Sequence, residues 1–225
     1  YAGIKKIQPE AQVGLVVYMS SFDPPNQWYL LDVLVARLLN KNLVESHFQY
    51  LAEGRFDFSI PGLAKESYNS GVKDAFDFVG LNYYTHFWRR LNPFSQEQFV
   101  EMTRVPPEQL TDMGYSIYPE GLYRALKLIT SHTSKPIYIT ESGIADDSDT
   151  KRAKYIEDHL LVVNKGIAEG MNIKGYFYWS LMDNFEWAHG FEKRFGLYHT
   201  DYSTQQRTLR QGSRKYLEII QKSKE

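Results

Sequence analysis

The sequence predicts an α/β fold built on a parallel sheet. Three observations predict it. Four short apolar runs are each rich in Val, Ile, Phe or Tyr, helical patterns lie between them, and long polar stretches follow two of them. Strands alternating with helices argue for βαβ units. With 225 residues the chain can bury a sizeable core, and it contains no repeat, low-complexity tract or linker that would divide it. Residues 1–225 are therefore read as a single domain.

In order, Tyr1–Ile7 reads as mid-helix sequence, and an opening Tyr rather than Met suggests a piece of something longer. The first strand is expected over Val13–Met19, almost wholly apolar, which suits a strand buried on both faces. Ser20–Pro25 reads as a loop, with Asp23 given a turn role by Pro24 and Pro25. Apolar residues at helical spacing predict a helix over Trp28–Leu39. The second strand is expected over Phe76–Leu81, followed by an extended polar loop over Leu91–Gly114. Tyr118–Ile129 begins a helix with Pro119 in its first turn. Pro136–Thr140 and Gly175–Ser180 are the third and fourth strands, with helices over Lys151–Ala168 and Gln211–Ile220. Four such units cannot close a barrel, which takes eight units and typically about 250 residues. Partner strands are expected from an N-terminal half or another chain, set against the edges at Val13–Met19 and Gly175–Ser180. An unpaired edge is otherwise an aggregation liability.

Composition narrows the function. The chain is 43% hydrophobic and 24% charged with a net charge of −1. That balance offers no electrostatic footprint for nucleic acid or an anionic membrane, so neither is expected as a partner. No apolar run approaches the roughly 18 residues of a membrane span, and no signal peptide is read at the start. The absence of cysteine excludes disulfides and thiolate metal sites, and a reducing cytoplasm is the compartment favoured. The six His show no metal-like pairing, and no metal or cofactor is expected.

Three segments carry chemistry. In Pro136-Ile-Tyr-Ile-Thr-Glu141-Ser-Gly143 an apolar β-branched run ends abruptly in a glutamate. The mouth at the C-terminal ends of barrel strands is where catalytic residues are found, although a solvated loop glutamate fits the local pattern equally. In Gly175-Tyr-Phe-Tyr-Trp179-Ser-Leu-Met-Asp183-Asn-Phe-Glu186-Trp187 a strand runs into a loop of alternating aromatics and carboxylates. Sugars present apolar C–H faces and hydroxyl rims, which Trp rings and carboxylates match. The third is Phe76-Asp-Phe-Val-Gly-Leu-Asn82-Tyr83-Tyr84-Thr85. Its Asn and Tyr can donate hydrogen bonds, though taken alone a buried Tyr and a turn-forming Asn are the better reading. Asp146, Asp147 and Asp149 read as solvated or helix-capping acids.

Together the segments resemble glycoside hydrolase family 1, the β-glucosidase and β-galactosidase family. Phe78–Thr85 is similar to its sixth-strand segment, Ile139-Thr-Glu-Ser-Gly143 to its Ile-Thr-Glu-Asn-Gly nucleophile motif, and Trp179–Trp187 with Arg194-Phe-Gly196 to its eighth strand and sugar-binding loop. The resemblance implies the C-terminal half, about strands 5–8, of a (β/α)8 TIM barrel. It implies Glu141 as nucleophile and Tyr84 as its hydrogen-bond donor. Asn82 would shape the same subsite, Trp179 would form a stacking floor, Glu186 would accept from the sugar's 4- and 6-hydroxyls, Trp187 would add a ring N–H, and Phe195 would close the wall. A glutamate at 186, where phospho-glycosidases of the family carry serine, favours unphosphorylated sugars.

Two positions depart from the family pattern. Ser142 stands where Asn is usual, and Tyr115 stands where many members have a Trp lining the aglycone site. The family's acid/base Thr-x-Asn-Glu-Pro motif does not occur in the sequence. The implied chemistry is retaining hydrolysis of a β-linked sugar, which needs two carboxyl groups about 5–5.5 Å apart, one of them supplied from the N-terminal half. The alternative is a non-catalytic sugar- or protein-binding half-barrel that keeps Trp179, Glu186 and Trp187.

Overall fold

In a computed structural model, which describes residues 1–92, 94–95, 100–103 and 105–223, the apolar runs become the strands of one sheet. Residues 93, 96–99 and 104 of the expected Leu91–Gly114 loop lie outside the described residues. In chain order, α1 (Ala2–Ile7) leads to β1 (Gly14–Tyr18) and the short β2 (Phe22–Asp23). A long helical stretch follows: α2 (Leu30–Leu39), a π-helical segment over Asn40–Glu45, and α3 (Ser46–Glu53). Next come β3 (Arg55–Ile60), β4 (Ala64–Asn69), β5 (Phe78–Asn82), β6 (Phe87–Leu91) and β7 (Val100–Met102). Then α4 (Pro119–His132), β8 (Ile137–Ser142), α5 (Arg152–Ala168), β9 (Ile173–Tyr178), β10 (Tyr198–Thr200), β11 (Arg207–Leu209) and α6 (Arg214–Lys222) complete the order.

β1, β5, β8 and β9 lie side by side in that order, all parallel. Successive residues of a strand point to opposite faces, and the two faces differ. Val79, Leu81, Ile137, Ile139 and Ile173 join Leu122, Leu126 and Ile129 of α4 and Val163 of α5 in one core. On the other face Val16, Tyr18 and Phe177 are 59%, 56% and 57% exposed. The Phe78 and Tyr138 rings meet edge to face there, at 5.4 Å. The edges of the sheet are β1 and β9, as the order of the apolar runs predicts.

The helices form for the expected reasons. In α4 Pro119 occupies the first turn, where its missing N–H costs nothing, and Leu122, Ala125, Leu126 and Ile129 make the buried stripe. No side chain at the N-cap of α5 caps it. Asp146 does so from the preceding loop, accepting the N–H groups of Lys151 at 2.8 Å and Arg152 at 2.9 Å. Of the three acids after Glu141, Asp146 is the capping one.

The structure departs from expectation on the β1 side. The helix expected over Trp28–Leu39 begins at Leu30 and runs on through the π segment to Glu53. It stops at Gly54, whose φ of 72° is the left-handed cap position that glycine takes without a Cβ penalty. Asn40 and Asn42, beyond the expected end of the helix, fasten it to its neighbours. Asn40 exchanges two hydrogen bonds with the Phe22 backbone and Asn42 two with Ser59. The hairpin β3–β4 was not anticipated either, and the expected loops contain short strands: β2 pairs with β6, and β6 with β7.

Candidate active site

Glu141 stands at the C-terminal end of β8, between neighbours that bring three other expected residues to it. Tyr84, two residues beyond β5, donates from its hydroxyl to Glu141 Oε2 at 2.8 Å. The backbone supports this approach: Tyr83 N donates to the Glu141 carbonyl at 2.9 Å. Next to it, Thr140 donates to Asn82 Oδ1 at 2.7 Å, fixing the Asn82 amide on the open face. On the other side Trp179 N donates to the Ser142 carbonyl at 3.0 Å. Only glycine permits that approach at 143, because a Cβ there would lie 1.8 Å from the Trp179 carbonyl oxygen. The peptide between Trp179 and Ser180 is cis.

Phe195 is buried, and its ring meets Tyr84 edge-on at 6.1 Å with an interplanar angle of 83°. Tyr84 is held well above the ordinary phenol range, first by burial and then by the Glu141 hydrogen bond and charge. It stays protonated, so the carboxylate keeps its donor. Glu186 is raised as well, first by burial and more weakly by the charge on Glu141, while His189 and a Trp179 hydrogen bond oppose the shift. That charge and that hydrogen bond put Glu141 and Trp179 within electrostatic reach of Glu186.

Two expected residues stand apart. Trp187 opens a 3-10 turn over Trp187–His189 with a positive φ of 44°, and its ring is 82% exposed. Tyr115 is half-buried, its carbonyl accepting from Thr111 N and its N–H donating to the Thr111 hydroxyl, and it lies near Tyr18 of the open face. Asp23, given a turn role by its prolines, is instead the centre of an ionic contact. Arg124 of α4 donates to both its oxygens at 2.8 and 2.7 Å, and His86 Nε2 lies 3.2 Å away.

Two residues with a part in the site, Asp183 and Arg152, were given no role by the sequence, and Ser142 was noted only as a departure from the family pattern. Asp183 is buried and accepts from Gly196 N, Thr200 N and Arg210, which orders the loop that carries Phe195. Ser142 meets the Tyr155 hydroxyl of α5 at 3.0 Å, next to Glu141 in sequence. Arg152 is fully buried. A signal for it exists, since it shares the buried face of α5 with Tyr155, Ile156 and His159.

A parallel βα sheet with a carboxylate seated at a strand's C-terminal end is an arrangement (β/α)8-barrel proteins have, and the chain takes it as part of a barrel. The profile described as "Glycosyl hydrolase family 1" matches residues 4–225, and the chain belongs to that family. It is 34% identical over 211 residues to β-glucosidase A of Acetivibrio thermocellus, covering 89% of this chain and 45% of that protein. Solved structures agree. A β-glycosidase from Pyrococcus horikoshii superposes with a TM-score of 0.79 at 34% identity, covering 96% of this chain and 49% of the other. A β-glucosidase from Thermotoga maritima in complex with deoxynojirimycin gives 0.77 at 28%, covering 97% and 52%. The chain spans about half the length of these relatives.

Proposed function

We propose that residues 1–225 form one domain of a retaining β-glycosidase that acts on unphosphorylated β-glucosides or related β-glycosides, in a cysteine-free chain suited to a reducing cytoplasm. Glu141 attacks the anomeric carbon and forms a covalent glycosyl-enzyme intermediate. Tyr84 holds the carboxylate toward the open face and stays protonated while doing so. The acid/base carboxyl comes from strand–helix units outside this chain, which pair with β1 and β9. Asn82, Trp179, Glu186 and Phe195 line the sugar subsite. Trp187 and Tyr115 stand at its margin, where a bound substrate brings them into contact.

The observation that carries this reading is the 2.8 Å hydrogen bond from Tyr84 to a glutamate at the end of β8, with Glu186 close enough to feel its charge. The Glu141 charge in turn raises the pKa of the partner acid through like-charge repulsion. A 2-fluoro-β-glucoside with an activated leaving group tests it directly. Peptide mapping is expected to find the adduct on Glu141, and Glu141→Gln is expected to abolish turnover while leaving the protein folded. An adduct on any other carboxylate, or turnover in Glu141→Gln equal to that of the unaltered protein, removes the assignment.

A further inference from the structure

We infer that Arg152 is a positioning residue for the Tyr84–Glu141 pair, acting through the backbone of two loops. The inference rests on the glycosidase reading. The Arg152 guanidinium donates from Nε to Asp149 at 2.9 Å, and from one terminal nitrogen to the Ile144 carbonyl at 3.1 Å, the Tyr178 hydroxyl at 2.7 Å and the Phe195 carbonyl at 3.0 Å. Its other terminal nitrogen donates to the carbonyls of Asp146 at 2.6 Å and Arg194 at 3.1 Å. Ile144 and Asp146 follow Glu141 out of β8. Arg194 and Phe195 belong to the return leg of the loop that carries Glu186. One side chain therefore fixes both loops to each other and to β9.

The consequence reaches the nucleophile in two further contacts. Fixing the Phe195 carbonyl fixes where its ring stands, that ring packs edge-on against Tyr84, and Tyr84 donates to Glu141. A buried guanidinium is a costly filler for a helix face, since well-packed apolar residues of similar volume are often as stabilising. What an apolar side chain cannot do is hold four carbonyls from two loops in fixed register. The rigid fork supplies geometry, and geometry near a reacting carboxylate is worth much: a misplacement of about 1 Å costs on the order of 10²-fold in rate.

The test uses the assembled enzyme, residues 1–225 together with the remaining strand–helix units. Arg152→Met is expected to lower kcat by roughly 10–100-fold with KM little changed, measured well below its melting temperature. Ile156→Ala, a fully buried neighbour on the same helix, controls for lost stability and is expected to leave kcat within about threefold. The decisive measurement is the cycle with Tyr84→Phe. If Arg152 acts through Tyr84, the double variant is slower than the worse single variant by no more than about threefold. Losses that multiply overturn the inference.

A second readout needs no turnover. With 3-fluorotyrosine at position 84, the ¹⁹F resonance is expected to shift in Arg152→Met and to hold in Ile156→Ala. An unmoved resonance in Arg152→Met also overturns the inference. Arg152→Lys, which keeps the charge and loses the planar fork, takes the place of Arg152→Met in both measurements if that variant does not fold. An unaltered enzyme that cannot hydrolyse an aryl β-glucoside counts against the glycosidase reading, while the resonance still decides the role of Arg152.

Discussion

The two faces of the same four strands have opposite fates. On one, Leu81, Ile137 and Ile139 have at most 1% of their surface exposed beneath α4 and α5. On the other, at the two edge strands, Val16 and Tyr18 of β1 and Phe177 of β9 are more than half exposed although apolar or aromatic too. The difference teaches that side-chain chemistry alone does not set burial here. The helices that cover the first face come from the same chain and are joined to the strands by their own loops. The second face is the one toward which Tyr84 and Glu141 converge. Stability is built on one side of the sheet, and the candidate site is laid out on the other.

The largest expected effect tests the covered side. Ile139→Ala removes a side chain with no exposed surface from the middle of β8 and is expected to cost about 2–5 kcal/mol, as core truncations of this size do. Urea unfolding checks it. A cost below about 1 kcal/mol would mean that the strands do not pack on α4 and α5 as described.

A titration reaches the same side at the next level of effect. His159 is fully buried on α5, stacked on Tyr155 at 3.8 Å, and its Nδ1–H donates to the Tyr155 carbonyl at 2.8 Å. Burial lowers its pKa from 6.5 to about 4. Between those values the unfolded chain holds the proton and the folded chain does not, so stability rises with pH across that window. The contribution is complete above about pH 6.5 and is lost as the pH falls toward 4, by about 3 kcal/mol in all. His159→Gln is expected to flatten this part of the stability profile, measured by urea unfolding at pH 7 and pH 5. Equal slopes in the two proteins would show that other groups account for the acid sensitivity.

How much of this could be read from the sequence follows the same division. The four strands were legible because each is an apolar run, and α4 and α5 because their stripes recur at helical spacing. Glu141 was legible because it breaks a β-branched run abruptly. The helix through Asn40–Glu53 was hidden, since Asn40 and Asn42 favour turns locally and only the Phe22 and Ser59 backbones reveal their use. Strands β3 and β4 were hidden because β4 is exposed along its whole length and shows no alternation. Asp23 read as a turn residue because its partner Arg124 lies 101 positions away. Arg152 is the instructive miss. A charge inside an apolar stripe is legible as an anomaly, but the carbonyls it holds carry no side-chain signature.

The smallest expected effect tests the open face, and its value is in its smallness. Val16 lies in the middle of β1, 59% exposed, so Val16→Thr in residues 1–225 should change stability by no more than about 0.5 kcal/mol. The same substitution in the assembled barrel should cost more, about 1–3 kcal/mol, because the added hydroxyl is then buried without a partner. Paired urea unfolding measurements give both numbers. If the two costs are equal and small, the added units leave this face wet and a packed barrel interior is ruled out. If both are large, the face is already covered in residues 1–225 alone, and sedimentation equilibrium would identify the cover as a second copy of the chain.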